Sequence, residues 1–425
     1  MIKYNKELFY QRFLGDLVSP EKKAVISGPF GSSISKKYFK DEGIPVIRGN
    51  NLSIKGKKFI DDGFVFVTQE KANSLNCYAK ANDIVFTAVG TIGQVGIIES
   101  DYKFNDYVIS NKQLRVTLDS TKIKPLYAFY WFSSPWSQEI IKKRNVGSTV
   151  PLINLSILRR LPILLPKSVN YQNKVVGFLE SIYSKIALNN KINAKLEGMA
   201  KLLYDYWFVQ FDFPDAEGKP YKSSGGKMVY NEALKREIPE GWGDGELNDI
   251  ANITMGQSPA GKSYNEEGIG MVFYQGSTDF GLRFPTNRKF TTQPSRLAKK
   301  NDVLLSVRAP VGAMNIANED CCIGRGLAAI NSKQGYAGYL NGVLHYQKQT
   351  FDRRNAEGTT FGSITKGDLF SLKIVKPRED ILKRFEFIVG PMFKKQNTIG
   401  FENQKLSELR DWLLPMLMNG QVKVG

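Results

Sequence analysis

Between residues 170 and 208, apolar side chains recur at alternating steps of four and three residues. The recurring positions are Val175, Leu179, Ile182, Ile186, Leu196, Ala200 and Leu203. This spacing predicts one long amphipathic helix of the coiled-coil type. Because no proline occurs between Pro166 and Pro214, nothing forces a break in it. At ~1.5 Å per residue the helix would be about 58 Å long, more than an ordinary globular domain needs.

The same pattern returns near the carboxyl end after a shift of 210 residues. It occupies Phe385, Val389, Met392, Ile399, Leu406 and Leu413, and Asn193 falls on Asn403. An asparagine in an apolar seam lowers stability but fixes the register and the choice of partner. We therefore predict that the two helices pair with each other and that Asn193 and Asn403 set their register. Two unrelated surface helices are the alternative.

Residues 1–168 contain short apolar runs separated by glycine and proline turns. These runs predict strands at 44–47, 64–67, 83–87, 94–98 and 113–116. Aromatic residues at helical spacing predict a helix over 126–143, a loop follows at 147–151, and an apolar run over 157–165 predicts the last strand. We expect a mixed α/β domain with a curved or partly barrel-like sheet.

A second globular domain over residues 238–378 repeats the first in outline. Asn301-Asp302 follows Asn82-Asp83 by 219 residues, and the Gly-Thr-Thr at 358–360 follows the Gly-Ser-Thr at 147–149 by 211. Such a repeat is far longer than that of a solenoid and indicates a tandem duplication. We predict an α+β protein with domains at 1–168 and 238–378, long helices at 169–208 and 379–420 that form an antiparallel coiled coil, and a polar, turn-rich linker at 209–237.

The charge of the chain indicates a polyanionic partner. Its 59 Lys and Arg residues outnumber 41 Asp and Glu residues, which gives a net charge of +18 and a pI near 9.5. Nucleic acid is the first expectation, and an anionic membrane is the rival. No apolar run of 18 residues occurs, which argues against membrane insertion.

The compartment is predicted from the cysteines and the amino terminus. The chain has three cysteines, two of them adjacent, and its amino terminus is unlike a signal peptide. Both features predict a cytoplasmic protein.

Patterns typical of catalysis are weak. A single histidine, His345, argues against triads and metal sites that need several. The glycine-rich segment 90–96 lacks the ending of a P-loop and is better explained by tight turns. Asp215, Glu217 and Lys219 resemble a nuclease signature but are crowded into one linker. A metal-dependent DNA nuclease using them remains an alternative function, as does a general nucleic-acid-binding scaffold for RNA, or one for an acidic protein.

DNA phosphates are contacted by basic side chains, and bases by Arg, Asn, Gln, Ser or Thr on loops. In the first domain the candidate DNA-contacting residues are Ser32, Ser33, Lys36, Lys37, Arg48, Asn50, Asn51, Arg144, Ser148 and Thr149. In the second domain they are Gln257, Ser258, Lys262, Gln275, Ser277, Arg283, Arg308, Arg325, Thr359 and Thr360. Because two different domains on paired helices can each bind one part of a site, we expect a split, asymmetric DNA target.

Five segments together resemble the specificity subunit of type I restriction–modification systems. They are 238–242 (IPEGW), 301–312 (NDVLLSVRAPVG), 323–326 (IGRG), 406–420 (LSELRDWLLPMLMNG) and 207–228, which contains GKPY. Each motif is loose, but their order along the whole chain is specific.

This resemblance implies a bipartite double-stranded DNA target, with one target recognition domain for each half and a gap set by the helix pair. It implies that the chain has no catalytic activity and no metal or cofactor of its own. S-adenosylmethionine, ATP and Mg would be bound only by partner subunits. These partners would be two adenine-methylating modification subunits, docked on the helices and adjoining surfaces, and restriction subunits that use ATP.

Overall fold

The computed structural model describes residues 4, 6–53, 57–348, 351 and 363–424. The chain forms two compact units, which we call the first unit (Met1–Ile186 with Lys405–Gly425) and the second unit (Ala187–Gln404). Each unit therefore contains part of both long helices.

The α helices in the described part of the chain vary from one turn to 41 residues. They are α1 (Gln69–Leu75), α2 (Pro125–Ser133), α3 (Pro135–Lys143), α4 (Leu155–Arg159), α5 (Val169–Tyr204), α6 (Leu247–Ile250), α7 (Ala337–Tyr346), α8 (Lys366–Phe370) and α9 (Glu379–Asn419).

The strands of the first unit are β1 (Phe9–Phe13), β2 (Val25–Ser27), β3 (Ile44–Ile47), β4 (Val65–Val67), β5 (Tyr78–Ala79), β6 (Ile84–Thr87), β7 (Val95–Ile97), β8 (Tyr107–Ile109), β9 (Gln113–Val116) and β10 (Pro162–Pro166). Those of the second unit are β11 (Met228–Asn231), β12 (Arg236–Pro239), β13 (Gly243–Glu246), β14 (Ala251–Met255), β15 (Tyr264–Asn265), β16 (Met271–Tyr274), β17 (Phe290–Thr291), β18 (Leu297–Ala298), β19 (Val303–Ser306), β20 (Met314–Ile316), β21 (Cys321–Ile323), β22 (Leu327–Ser332) and β23 (Lys373–Lys376).

Both long helices predicted from the apolar spacing are confirmed. Helix α5 is unbroken over 36 residues and continues as a π turn to Val209. Helix α9 begins with Glu379 and Asp380, where the helix dipole favours negative charge. It ends before Gly420, whose φ of 77° is the left-handed conformation that commonly terminates a helix.

Within each unit α5 and α9 run antiparallel. In the first unit the Tyr171 hydroxyl donates to the carbonyl of Val422 (2.9 Å), and the Arg410 guanidinium lies over the ring of Tyr183. Residues further along α5 thus contact residues earlier in α9, as an antiparallel pair requires. Apolar side chains of both helices, among them Leu179, also join the core of this unit.

The helix pair of the second unit carries a polar contact inside its apolar seam. Asn189, which is buried, donates its amide to Asn403 Oδ1 (2.9 Å). Asn403 donates to Asn190 Oδ1 (2.9 Å). The sequence predicted register residues at Asn193 and Asn403, whereas the structure places Asn189 and Asn190, and not the side chain of Asn193, against Asn403. Further along, Trp207 of the π turn packs on α9.

The first unit contains two four-stranded sheets, in the orders β2-β9-β6-β7 and β4-β3-β8-β5. Their neighbouring strands are antiparallel except β3 and β8, which are parallel. Strand β1 pairs with β10 as a separate ribbon. The strands that were expected to build one curved sheet are thus divided between two sheets.

The second unit repeats the two sheets and the ribbon of the first unit, with additional strands. Its sheets have the orders β14-β22-β19-β20 and β15-β17-β16-β21-β18, with β16 and β21 parallel and β15 as an addition. The ribbon β13-β23 corresponds to β1-β10. The predicted pair of pseudo-repeated α/β domains is therefore confirmed.

The repeated Asn-Asp dipeptide has one conformation in both units. Asn82 and Asn301 are left-handed, with φ values of 70° and 73°. The carboxylates of Asp83 and Asp302 accept the backbone N–H groups three residues earlier, both at 2.9 Å. Burial raises the pKa of both carboxyl groups, and the Arg115 guanidinium opposes that rise at Asp83. The dipeptide thus closes the turn that begins β6 and β19.

Three predicted segments differ from the structure. The helix expected over 126–143 is broken at Ser134, whose hydroxyl accepts the Ser137 N–H to cap α3, and Pro135 occupies the first turn of that helix. The run over 157–165 is the end of α4 followed by β10, because Asn154 caps a helical turn there. In the segment 209–237, β11 pairs with β12, and Phe213 stacks on Trp242 with ring centroids 4.9 Å apart.

Candidate nucleic-acid interface

Several turns of the first unit meet at the ends of β2, β3, β6 and β8. The Gly28 N–H donates to the carbonyl of Gln113 (2.9 Å), and the Ser110 N–H donates to that of Ile47 (3.0 Å). A Cβ atom on Gly28 would lie 1.8 Å from the Ser110 oxygen, so only glycine permits this approach. The turns after β2, β3 and β8 are thereby held together.

A turn and a loop join this group. The Ala88 N–H donates to the carbonyl of Lys112 (2.7 Å), and the Gly90 N–H donates to that of Pro151 (2.9 Å). We call residues 28–33, 48–50, 88–93, 110–112 and 145–152 the first loop edge. Its exposed polar side chains are Ser32, Asn50, Thr91, Asn111, Lys112, Asn145, Ser148 and Thr149.

The second unit builds the same edge with the same backbone contacts. The Gly256 N–H donates to the carbonyl of Leu327 (2.9 Å), and the Gly324 N–H donates to that of Tyr274 (2.8 Å). A Cβ atom on Gly256 would lie 2.2 Å from the Gly324 oxygen, as at Gly28. The glycine is therefore required at both equivalent positions.

The remaining contacts of this edge also match. The Val307 N–H donates to the carbonyl of Gly326 (2.9 Å), as the Ala88 N–H does to that of Lys112. The Ile364 N–H donates to the carbonyl of Val307, and its counterpart, the Ile153 N–H, donates to that of Ala88, both at 2.9 Å. We call residues 256–258, 275–277, 307–312, 324–326 and 363–364 the second loop edge. Its exposed polar side chains are Gln257, Gln275, Arg308, Arg325 and Ser363.

The two loop edges share a frame but present different chemistry. The hydrogen bonds align the tripeptide Ser110-Asn111-Lys112 with Gly324-Arg325-Gly326. One edge presents an amide and an ammonium group where the other presents a guanidinium. Amides and guanidinium groups can form paired hydrogen bonds with base edges in the major groove, and ammonium groups bind phosphates.

A family model for the type I restriction modification DNA specificity domain matches the chain twice, over residues 21–198 and 239–409. The chain belongs to the type I restriction–modification specificity family. The resemblance seen in the sequence motifs is thus confirmed. Each matched segment of this specificity subunit contains one recognition domain with one loop edge.

Relatives and a solved structure agree with this assignment. A protein of Methanocaldococcus jannaschii, provisionally named as the type I restriction enzyme MjaX specificity subunit, is 32% identical over 360 residues, or 80% of this chain and 79% of the relative. The MjaIX specificity subunit of the same organism is 26% identical over 427 residues, or 94% and 91%. The crystal structure of the S subunit of a type I system from M. genitalium covers 98% of both chains with 17% identity and a TM-score of 0.52, which supports the fold.

Two candidates of the first recognition domain have structural contacts instead of free side chains. Asn51 is fully buried, and its Nδ2 donates to the carbonyls of Ile60 and Asp62, both at 2.9 Å. Its Oδ1 accepts the N–H of Arg48, whose own Nη2 donates to Gly63. The Asn51 side chain is therefore not available for a hydrogen bond to a base, and one nitrogen of the Arg48 guanidinium group is already hydrogen-bonded within the domain.

The other candidates of this domain divide between the edge and its surroundings. Ser32, Asn50, Ser148 and Thr149 lie exposed on the first loop edge, and Ser33 lies there partly exposed. Lys36 and Lys37 are exposed on the next turn, away from the contacts that define the edge. The Arg144 side chain donates to the carbonyl of Arg160, which lies between α4 and β10. The Arg144 guanidinium group therefore lies against that segment.

In the second recognition domain Gln257, Gln275, Arg308 and Arg325 lie exposed on the loop edge, and Ser258 and Ser277 lie there partly exposed. Lys262 is exposed on the turn before β15. Thr359 and Thr360 fall outside the described residues.

Arg283 faces a helix and not the loop edge. Its Nε and Nη2 donate to Asn397 Oδ1 at 3.0 and 2.7 Å. It lines a groove of about 320 Å³ together with His345, which lies on α7. Burial lowers the pKa of the His345 imidazole, and Glu197 opposes that shift. Arg283 is therefore corrected from a DNA contact to a contact with α9.

Sequence reasoning missed Asn111 and Lys112, which are exposed at the centre of the first loop edge. Their signal was a polar tripeptide between two short apolar runs, the second of which was predicted as a strand. The first run, β8, is only three residues long, so the turn between β8 and β9 was not recognised.

The nuclease-like residues form a turn. Asp215 Oδ1 accepts the N–H groups of Glu217 and Lys219 (2.8 and 2.9 Å), and the side chains of Glu217 and Lys219 pair in solvent at 2.9 Å. In the described part of the chain, no cluster of His, Cys, Asp and Glu could hold a metal ion. Across the same residues, none of the helices has the length and apolarity required to span a membrane.

Proposed function

We propose that this chain is the non-catalytic subunit that gives a type I restriction–modification complex its DNA specificity. Each loop edge recognises one half of a bipartite, asymmetric target. The observation that carries this proposal is the repeated backbone frame with different exposed side chains. A duplicated frame allows one docking geometry, and different side chains allow different base sequences.

The exposed groups suit sequence recognition in the major groove. Arg308 and Arg325 can bind guanine with two hydrogen bonds, and Gln275 can do the same with adenine. Asn50 and Asn111 offer amides on the first edge. The remaining exposed candidates on each edge, together with Lys36, Lys37 and Lys262 nearby, contribute hydroxyl groups or phosphate contacts.

The functional division that we propose is residues 1–168 and 238–378 as target recognition domains, and 169–208 and 379–420 as the helices that set the gap between the half-sites. Residues 209–237 connect the first helix to the second domain. The chain would act in the cytoplasm, where its DNA target and its partners are found together.

Exposed apolar side chains on the helices support the docking of partner subunits. Phe387 on α9 is 84% exposed and Leu202 on α5 is 68% exposed, both in the second unit. Trp412 on α9 is 59% exposed in the first unit. Large apolar groups on long helices are typical of protein interfaces. We propose that two modification subunits bind there and that S-adenosylmethionine, ATP and Mg are bound by the modification and restriction subunits alone.

The test is to map adenine methylation across the genome of cells that express this chain with a modification subunit. We expect one split, asymmetric motif, which is absent when either protein is omitted. Methylation of DNA by the purified chain with S-adenosylmethionine, or its cleavage of DNA with Mg²⁺, would contradict the proposal. Phe387→Asp and Trp412→Asp should weaken co-purification with the modification subunit, whereas Lys57→Met, a change at an exposed site that lies on neither long helix, should not.

A further inference from the structure

Each unit places one cation at the same position of the repeat. The carbonyl of Lys58 accepts the N–H of Ile97 in β7 (2.9 Å), and the carbonyl of Arg283 accepts the N–H of Ile316 in β20 (3.2 Å). Strands β7 and β20 are the equivalent edge strands of the two repeated sheets. Lys58 and Arg283 are therefore structural counterparts, although their neighbouring sequences differ.

Each of these cations lies over an aromatic ring of a long helix. Lys58 Nζ is 5.8 Å from the ring centroid of Tyr183 on α5, and the Arg283 guanidinium carbon is 5.6 Å from that of Phe393 on α9. Both distances fall within the range of a cation–π contact. Phe393 follows Tyr183 by 210 residues, the same shift that aligns the apolar seams of the helices. Cation and ring are thus duplicated together.

In the first unit, carboxylates fix the position of the cation further. Lys58 Nζ lies 2.6 Å from Glu99 Oε1 and 2.7 Å from Glu180 Oε2, and its side chain is 12% exposed. Glu180 lies on α5 and also accepts the hydroxyl of Tyr130 on α2. The ammonium group therefore connects the recognition domain to α5 by directional contacts, which resist sliding more than apolar contacts do.

In the second unit the two-donor fork of the Arg283 guanidinium group takes the place of the ion pairs that Lys58 forms in the first unit. Its two donors converge on Asn397 of α9, while its guanidinium covers Phe393. Burial lowers the pKa of this guanidinium to about 10, which leaves it charged at neutral pH, and Glu197 of α5 opposes the shift. The planar fork gives this contact a fixed direction.

We infer that Lys58 and Arg283 are positioning residues that fix how each recognition domain is oriented on its long helix, and so determine which gap between the two half-sites the complex accepts. This inference rests on the proposed function. In each unit the cation belongs to the domain, while its ring and at least one acceptor belong to a helix. A domain that rocks on its helix would carry its loop edge with it and would tolerate half-sites at other spacings.

The test uses the full-length chain in complex with the modification subunit. Methylation rates are measured on duplexes that keep both half-sites and vary only the gap, at the native length and at one base pair shorter and longer. Lys58→Met and Arg283→Met remove the charge, whereas Lys58→Arg and Arg283→Lys keep it. Lys57→Met removes an exposed neighbouring charge and is the matched control.

We expect the ratio of native-gap to altered-gap methylation to fall by about tenfold in the two charge-removing variants, equivalent to ~1.4 kcal/mol. The preferred half-site bases should stay the same. Lys58→Arg and the control should retain the ratio, whereas Arg283→Lys, which keeps the charge but loses the planar fork, should give a ratio between those of the wild type and Arg283→Met. An unchanged ratio, or an equal loss of methylation rate at every gap length, would overturn the inference. A merely structural role would lower the methylation rates at all gap lengths by the same factor.

Two further variants keep the test decisive if the charge-removing variants do not fold. Tyr183→Leu and Phe393→Leu remove the rings and leave the cations, and we expect the gap ratio to fall by about threefold. A ratio equal to that of the wild type would again overturn the inference. If the wild-type complex methylates no split site at all, the proposed function fails, and not the assignment of the positioning residues.

Discussion

The amide of Asn189 should stabilise the helix pair of the second unit more than the amide of Asn193 does. Asn189 is 1% exposed, and its Nδ2 donates to Glu402 Oε2 (2.8 Å) and Asn403 Oδ1 (2.9 Å). Asn403 also donates to Asn190. The Oδ1 atom of Asn193, in contrast, is buried without a hydrogen-bond partner. We therefore expect the substitutions Asn189→Ala and Asn193→Ala to differ.

The expected difference follows from the contacts that each change removes. Asn189→Ala removes one hydrogen bond to a neutral acceptor, ~1 kcal/mol, and one to a carboxylate, ~1.5–3 kcal/mol. We expect the free energy of unfolding to fall by ~2.5–4 kcal/mol. Asn193→Ala removes an oxygen that makes no hydrogen bond, so the free energy of unfolding should change by less than ~1 kcal/mol.

Urea unfolding followed by far-ultraviolet circular dichroism measures both changes, because the long helices dominate that signal. A double-mutant cycle with Asn403→Ala then isolates the pairwise term. The coupling should be ~1–2 kcal/mol for Asn189 with Asn403 and close to zero for Asn193 with Asn403. A larger coupling for Asn193 would refute the contact pattern and return the register to the residues that the sequence indicated. An altered urea dependence would show either a change in the compactness of the denatured or native state or a departure from two-state unfolding.

Three further results are expected. Gly28→Ala should destabilise the first unit by ~2 kcal/mol or more, because its Cβ would meet a carbonyl, whereas Gly177→Ala on α5, with open space around it, should stabilise the chain by ~1 kcal/mol in thermal unfolding. Asn111→Ala and Arg325→Ala should each relax the methylated motif in one half only, by ~1–3 kcal/mol per lost base contact, as read by methylation sequencing. Burial raises the pKa of the Cys77 thiol to about 11, so this thiol in the native protein should resist a thiol reagent at neutral pH. The free energy of unfolding should fall between about pH 9 and 11, because the Cys77 thiol ionises at lower pH in the unfolded chain than in the native protein.

Elements that bury side chains over several residues could be predicted from local pattern. Strands β3 and β9 have the predicted bounds, and α5 and α9 follow from the seam alone. Strand β8 was missed because Tyr107, Val108 and Ile109 are all buried, so it shows no alternation and is too short to stand out. The dipeptide Ser134-Pro135 indicates a helix boundary at this position. The prediction of one continuous helix gave more weight to the aromatic residues at helical spacing on both sides of it.

The loop edges depend on contacts that no local pattern contains. Polarity placed Asn50 and Asn51 together as candidates, yet only the structure shows that one is exposed and the other is buried under the carbonyls of a later loop. Arg283 looked like a DNA contact because it is basic and lies on a turn. Its direction is decided by Phe393 and Asn397, more than 100 residues away in the chain.

In the proposed mechanism each recognition domain determines one half of the DNA target. The most direct measurement replaces residues 1–168 by the corresponding segment of a specificity subunit with a known target, and maps adenine methylation in cells that also contain the modification subunit. We expect a motif in which one half becomes that of the donor, while the other half and the gap are retained. A change in both halves, or an unchanged motif with a folded and active complex, would contradict it.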